Sequence, residues 1–207
     1  MTPKEARHWL NTVADNPDHP YHHKDSALHA QAVEDHKEVL TIAKRNGMNE
    51  KAELERAACE GFLQSYNAKH DTAFAIKEHR DRPDFIAADP WGQEIGVEVT
   101  HLHYDFKAEK MLLGRAEREQ LHGIMQTEEL IARLNTLLEA KAAQAAKYNF
   151  KNRLFLVIRN TSSIHELADF EMFEEEIHIP ASHPFTHIWL LCQDPMTNKW
   201  TDLAELM

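Results

Sequence analysis

A continuous apolar run, Leu154-Phe155-Leu156-Val157-Ile158, constrains the fold of this chain more than any other segment. A run without alternating polar residues is typical of a central strand that is covered on both faces. A second buried strand is predicted at His187-Ile188-Trp189-Leu190-Leu191-Cys192. Two such strands require helices on both sides of one sheet. The sequence therefore predicts an α/β fold with a mixed central sheet flanked by helices.

Two shorter segments upstream predict a β-hairpin. Residues 94–100 alternate apolar with polar or small side chains, which is the period of a half-buried strand. The turn formers Asp89-Pro90-Trp91-Gly92 separate this strand from the preceding one. If those four residues close the hairpin symmetrically, Asp84 lies opposite Val97 and beside Glu98. Each strand of the hairpin then carries one carboxylate.

The other segments have mainly helical patterns. The predicted helical segments are residues 1–47, 49–69, 105–148 and about 163–176. Residues 100–106 are the expected source of one further strand, as a continuation of the hairpin. We interpret residues 1–47 as an N-terminal helical extension and residues 48–207 as the α/β domain.

Length and composition indicate a globular chain of one domain with an extension. It has 207 residues, of which 43% are hydrophobic and 28% charged. No apolar run approaches the roughly 20 residues that a membrane span needs, so no membrane partner is expected. With Cys59 and Cys192 read as reduced core residues, a cytoplasmic location is predicted.

The charge distribution excludes one class of nucleic-acid binder. A net charge of −11 does not fit a protein that coats nucleic acid non-specifically, because such proteins are basic. Residues 101–160 nevertheless carry ten Lys/Arg against seven Asp/Glu, whereas residues 161–207 carry one against nine. A metal-dependent nuclease can be acidic overall when bound cations and a local basic rim meet the phosphates.

The two hairpin carboxylates are the strongest candidates for chemistry. Side chains on neighbouring strands lie roughly 5 Å apart, which brings Asp84 and Glu98 close enough to share one divalent cation. Without a cation, two carboxylates at this separation repel each other. The pattern therefore favours Asp84 and Glu98 as ligands of Mg²⁺ or Mn²⁺.

These residues resemble the motifs of the PD-(D/E)XK nuclease superfamily. Pro83-Asp84 matches the first motif, and Glu98-Val99-Thr100 matches the second, with Thr100 where the family has lysine. The resemblance implies a restriction-endonuclease-like core of order α-β-β-β-α-β and metal-dependent hydrolysis of DNA. It also implies that the Val99 carbonyl adds a third metal ligand. The Thr100 hydroxyl can bind a metal-ligated water but carries no positive charge.

In this superfamily an acidic residue of the first core helix often joins the site. Glu60 is our prediction for that residue, because it lies at the margin of the apolar face traced by Leu54, Ala57, Ala58, Gly61, Phe62 and Ser65. Glu53 is the alternative on the same helix.

A replacement for the missing lysine is predicted on the helix before the first buried strand. The residues Leu130, Leu134, Leu137, Lys141, Gln144 and Tyr148 share one helical stripe, which changes from apolar to polar at Lys141. Residues 144–148 also resemble the Q-x-x-x-Y motif of the RecB-like branch, which implies DNA contact by Gln144 and Tyr148. Lys147 is the second candidate for the amine and a further DNA contact.

Three functions from different classes remain open at this point. The first is a nuclease in which Lys141 orients water beside Asp84 and Glu98, with DNA as partner. The second is a catalytically inactive protein of the same fold that acts as a binding or regulatory module. The third is a histidine-rich metal-binding module built on His19, His22 and His23. Formation of a homodimer is left open.

Overall fold

The computed structural model describes residues 50–103, 127–162, 165–193 and 202–207. The predicted extension at residues 1–47, including His19, His22 and His23, lies outside the described residues. The same holds for residues 104–126 of the long predicted helical segment.

The described part of the chain contains three α-helices and six strands. In chain order the elements are α1 (Glu50–His70), β1 (Ala75–His79), β2 (Phe85–Ala88), β3 (Glu94–Leu102), α2 (Thr127–Ala145), β4 (Arg153–Asn160), α3 (Leu167–Met172), a 3₁₀ turn (Glu174–Glu176), β5 (His187–Cys192) and β6 (Asp202–Glu205). None of the helices in these ranges has the length and apolarity to cross a membrane.

The six strands form one mixed sheet in the order β1-β2-β3-β4-β5-β6. The pairs β1–β2, β2–β3 and β5–β6 are antiparallel. The central pairs β3–β4 and β4–β5 are parallel. The predicted α/β class, with a mixed sheet flanked by helices, is confirmed.

Each face of the sheet packs against a helix. On one face Phe155 and Trp189 pack with Phe62 and Tyr66 of α1. On the other face the strand residues pack with α2 and α3, in a cluster that includes Leu130, Leu134, Leu138, Leu156, Ile158, Phe170 and Leu190. Alternation along β3 directs Ile95, Val97 and Val99 toward α1, and places Gly96, Glu98 and Thr100 on the face toward α2.

Two strands differ from the sequence expectations. The additional strand is β1, which precedes the hairpin. Residues 100–102 belong to β3, which continues to Leu102, and residues 104–106 lie outside the described residues. β1 is an exposed edge strand with little apolar alternation, so the period that identifies half-buried strands is missing there. The C-terminal tail supplies a sixth strand, β6.

The hairpin register also differs by one residue from the symmetrical closure. Phe85 pairs with Val97, so Asp84 lies one position further out, level with Glu98 instead of Val97. The reason is in the turn, where Asp89 N–H donates to the Gln93 carbonyl at 3.1 Å and Gly92 has φ of 87°. Glycine adopts this left-handed conformation without steric cost, and the turn therefore absorbs one more residue than the symmetrical closure.

Candidate active site

Asp84 is held at the point where the pairing of β2 with β3 ends. Beyond the Phe85–Val97 pair, the Val99 N–H donates to Asp84 Oδ2 at 2.7 Å. The Arg80 N–H donates to the Asp84 carbonyl at 2.8 Å. Both the side chain and the backbone of Asp84 are therefore fixed beside the strand that carries Glu98.

Close packing around Gly96 positions the segments on either side of the site. A Cβ atom at Gly96 would lie 2.6 Å from Phe150 Cε1 and 2.8 Å from Pro83 Cγ. Both separations are shorter than a carbon–carbon contact allows. The absence of a side chain at Gly96 thus lets Pro83, which precedes Asp84, and Phe150, which follows Tyr148, approach the sheet together.

Lys141 and Tyr148 both donate to the same oxygen of Glu98. Lys141 Nζ lies 2.9 Å from Glu98 Oε1, and the Tyr148 hydroxyl donates to that oxygen, also at 2.9 Å. The side chains of Lys141 and Glu98 are 17% and 2% exposed. The predicted approach of the Lys141 amine to Glu98 is confirmed, and its part in catalysis stays a prediction.

The end of α2 explains how Tyr148 reaches the site. The helix ends at Ala145, so the helical stripe predicted to continue to Tyr148 is wrong in its last turn. Instead the Tyr148 N–H donates to the Ala145 carbonyl at 2.9 Å in a closing turn. Gln144 and Lys147 are exposed and remain predicted DNA contacts.

The electrostatics of the site disfavour the charged form of Asp84. Burial and then the neighbouring Glu98 charge raise the pKa of Asp84 to about 7, although the Val99 N–H opposes the shift. Burial and the hydrogen bond to Glu98 also raise the pKa of the Tyr148 hydroxyl, which therefore stays a donor. Perturbed carboxylates of this kind are typical of functional sites.

The acidic residue of α1 that approaches the pair is Glu55, not Glu60. Glu60 is exposed, whereas Glu55 is 7% exposed and its charge contributes to the raised pKa of Asp84. Glu55 also forms an ion pair with Lys51, at 3.3 Å. The alternative, Glu53, is partly buried and is not among the groups that raise the pKa of Asp84.

A sequence signal for Glu55 was present. It shares a helical stripe with the buried residues Cys59, Phe62 and Tyr66, at spacings of four, three and four residues. An acidic residue at the N-terminal end of an apolar stripe is directed toward the sheet. The prediction of Glu60 rests on a different face of the same helix, which begins at Leu54 and does not include Glu55.

The oxygen atoms of the site fit a hard divalent cation. Glu98 Oε2 is buried and accepts no hydrogen bond within the described part of the chain. Asp84 Oδ2 accepts a hydrogen bond from the Val99 N–H, so Oδ1 is the less engaged of the two possible ligand atoms of Asp84. The same part of the chain contains no group of three or more His, Cys, Asp or Glu side chains arranged around one metal position. The side chains thus offer two ligands, and Thr100 lies buried on the same face.

Comparisons with known proteins give no further information about this site. Neither the family models, the curated proteins nor the solved structures contain a match to this chain.

Proposed function

We propose that this protein is a divalent-metal-dependent nuclease that hydrolyses DNA phosphodiester bonds on a restriction-endonuclease-like fold. The observation that carries the proposal is the Lys141 amine, 2.9 Å from the Glu98 carboxylate that is level with Asp84. An amine from α2 supplies the positive charge that Thr100 lacks. The order α1-β1-β2-β3-α2-β4 supports the fold, since it follows the α-β-β-β-α-β core of the resembled superfamily.

Each residue of the proposed site has a separate role. A bound Mg²⁺ or Mn²⁺ supplies Lewis-acid polarisation of the phosphate and neutralises developing charge. Asp84 and Glu98 would hold it, with the Val99 carbonyl as the resemblance implies. The Lys141 ammonium has three donors, of which one bonds Glu98, and the other two can orient a water or an anionic oxygen.

The hydrogen bonds already present favour Mg²⁺ or Mn²⁺ over Ca²⁺. Glu98 Oε1 is engaged by Lys141 and Tyr148, so Glu98 offers one oxygen. Asp84 likewise offers one. Two monodentate carboxylates with several waters suit the octahedral shell of Mg²⁺, whereas Ca²⁺ takes six to eight oxygens, often from bidentate carboxylates.

A plasmid-nicking assay with Mn²⁺ and with Mg²⁺ tests the function. The parent chain is expected to nick supercoiled DNA, and Lys141→Met to lose activity by about 100-fold or more, because electrostatic groups at developing charge contribute on that scale. Lys151→Met, at an exposed lysine beyond α2, is the matched control and should retain activity.

The second candidate function is a binding or regulatory protein with an inactive nuclease fold. It is favoured by the close Lys141–Glu98 ion pair, which can stabilise the fold without any reaction. Full activity of Lys141→Met would remove the catalytic role of that lysine. A parent chain that nicks no DNA with either metal would replace the nuclease proposal with this one.

A further inference from the structure

Trp91 is exposed in a way that the nuclease site does not explain. It is 83% exposed, and the only other large apolar side chain exposed in the described ranges is Met207 at 39%. Exposing an indole ring to water has a cost that its burial in the core would remove. A residue of this kind at a hairpin tip is a candidate for contact with a ligand.

The turn holds Trp91 in a fixed position. Asp89 Oδ1 accepts hydrogen bonds from Trp91 N–H at 3.0 Å and from Gln93 N–H at 2.8 Å. The Gly92 N–H donates to the Asp89 carbonyl at 3.1 Å. The backbone of the turn is ordered before any ligand binds. A contact made by Trp91 therefore costs little backbone entropy.

The hairpin joins Trp91 directly to the candidate active site. Trp91 is seven residues from Asp84 along one strand and seven from Glu98 along the other. At roughly 3.3 Å per residue, seven residues of strand and turn place the backbone of Trp91 no more than about 20 Å from the residues that carry the carboxylates. This upper limit equals about six nucleotides at the 3.4 Å spacing of stacked bases.

Exposed basic side chains lie on the two segments that flank the candidate site. Pro83 and Phe150 meet over Gly96, which is two residues from Glu98 and five from Trp91, and each belongs to a segment with exposed cations. These exposed cations include Arg80, Arg82 and Lys147. Arg80 and Arg82 also pair with exposed Glu78 and Asp81, at 3.2 and 3.4 Å. Exposed cations of this kind suit a phosphate backbone.

We propose that Trp91 stacks on an unpaired base of a DNA strand whose scissile phosphate lies at Asp84 and Glu98. This inference rests on the proposed function and adds the substrate class, which is DNA with a single-stranded stretch. Aromatic rings stack on single-stranded bases without sequence preference, whereas a duplex exposes a base face only at its ends. A protein partner is disfavoured because Pro90, Gly92 and Gln93 around the ring are exposed and form no apolar rim.

The test measures DNA binding by the full chain carrying Lys141→Met, which retains both carboxylates, in Mg²⁺. Fluorescence anisotropy compares a labelled single strand of about 20 nucleotides with a fully paired duplex stem of about 60 base pairs, in which only the two ends expose a base face. Adding Trp91→Ala should weaken single-strand binding by at least about 5-fold, and Trp91→Phe should restore most of it. Binding of the duplex stem should change little. Trp91→Ala should shift the melting temperature by less than about 2 °C, since the ring is exposed.

Each other outcome overturns a defined claim. If the single strand binds but Trp91→Ala binds it equally well, the inference alone is wrong, and a protein partner becomes the remaining use of Trp91. Equal weakening of single strand and duplex excludes stacking on an unpaired base. If neither DNA binds, and the parent chain nicks no plasmid, the proposed function and the inference both fall.

Discussion

At the scale of single residues, the site combines three features that oppose folding. Asp84 and Glu98 are neighbouring carboxylates, Glu55 adds a third negative charge, and Glu98 Oε2 is buried without a hydrogen bond from the described residues. Groups of this kind reduce stability unless a cation or a proton compensates them. Their presence together beside a well-packed sheet is consistent with the proposed metal site.

The raised pKa of Asp84 predicts a pH-dependent effect of Asp84→Asn on stability. The pKa is 3.8 in the unfolded reference and about 7 in the folded chain, so folding favours the protonated form. The stability contributed by Asp84 is complete below pH 4 and is lost as the pH rises through 7. Without metal at pH 8, the free energy of unfolding of Asp84→Asn should therefore exceed that of the parent by roughly 1–3 kcal/mol. At low pH the two free energies should be equal.

Urea denaturation between pH 4 and pH 8 in the presence of a chelator measures this difference. Asp81→Asn is the control, because the Asp81 side chain is 93% exposed and lies in the same segment. Its free energy of unfolding should follow that of the parent at every pH. A parent chain that is as stable as Asp84→Asn at pH 8 would show that Asp84 is not destabilised by burial.

At the scale of elements, the site depends on how closely two loops approach β3. The segment before β2 and the segment after α2 meet over Gly96, through Pro83 and Phe150. One segment carries Asp84 and the other carries Tyr148, both of which bond to neighbouring residues of β3. The packing at Gly96 therefore links the core of the sheet to the geometry of the carboxylates.

Gly96→Ala should destabilise the fold by roughly 1–3 kcal/mol, as overpacking of a tight contact does. The new Cβ would meet Phe150 Cε1 at 2.6 Å, so either the ring or the strand must move. Chemical denaturation measures the loss. In a Phe150→Leu background the same change should cost less, because the contacting ring atoms are gone. Equal costs in the two backgrounds would mean that Phe150 does not limit the space at Gly96.

The burial of each strand determines how clearly the sequence identifies it. β4 and β5 are buried on both faces, so their continuous apolar runs identified them. β1 is polar and exposed, and its residues differ little from those of a loop. Lys141 is predictable because it interrupts an apolar helical stripe. Glu55 is not predicted from the apolar face of α1 that begins at Leu54, because it does not belong to that face. The register of the hairpin depended on the conformation of Gly92, which composition does not specify.

At the scale of the whole molecule, the proposed cation site would couple ion binding to folding. The proposed ligands come from β3 and from the residue before β2, and α2 supplies the amine beside them. An ion that binds only this folded arrangement must stabilise it, by about 2.7 kcal/mol at 100 times its dissociation constant. The measured stability of the chain should therefore depend on the divalent cation present.

Mg²⁺ or Mn²⁺ should raise the melting temperature at pH 8, and the increase should shrink at pH 5. The reason is that Asp84, with a pKa of about 7, is protonated at pH 5 and must lose its proton to bind the ion. Thermal unfolding monitored by circular dichroism, with and without metal at each pH, measures both effects. Asp84→Asn should lose most of the increase and Asp81→Asn should keep it. An increase that Asp84→Asn retains would place the ion elsewhere.

The edge strand β1 also affects how copies of this chain meet. It is the terminal strand of the sheet, it is short and mostly exposed, and its pairing with β2 is irregular between Ile76 and Glu78. Bulges and charged side chains such as Lys77 interfere with the straight backbone ladder that a second sheet would need. The β1 edge is thus a poor template for intermolecular strand pairing, which protects the chain from aggregation at this edge. Self-association by strand pairing at this edge is therefore disfavoured.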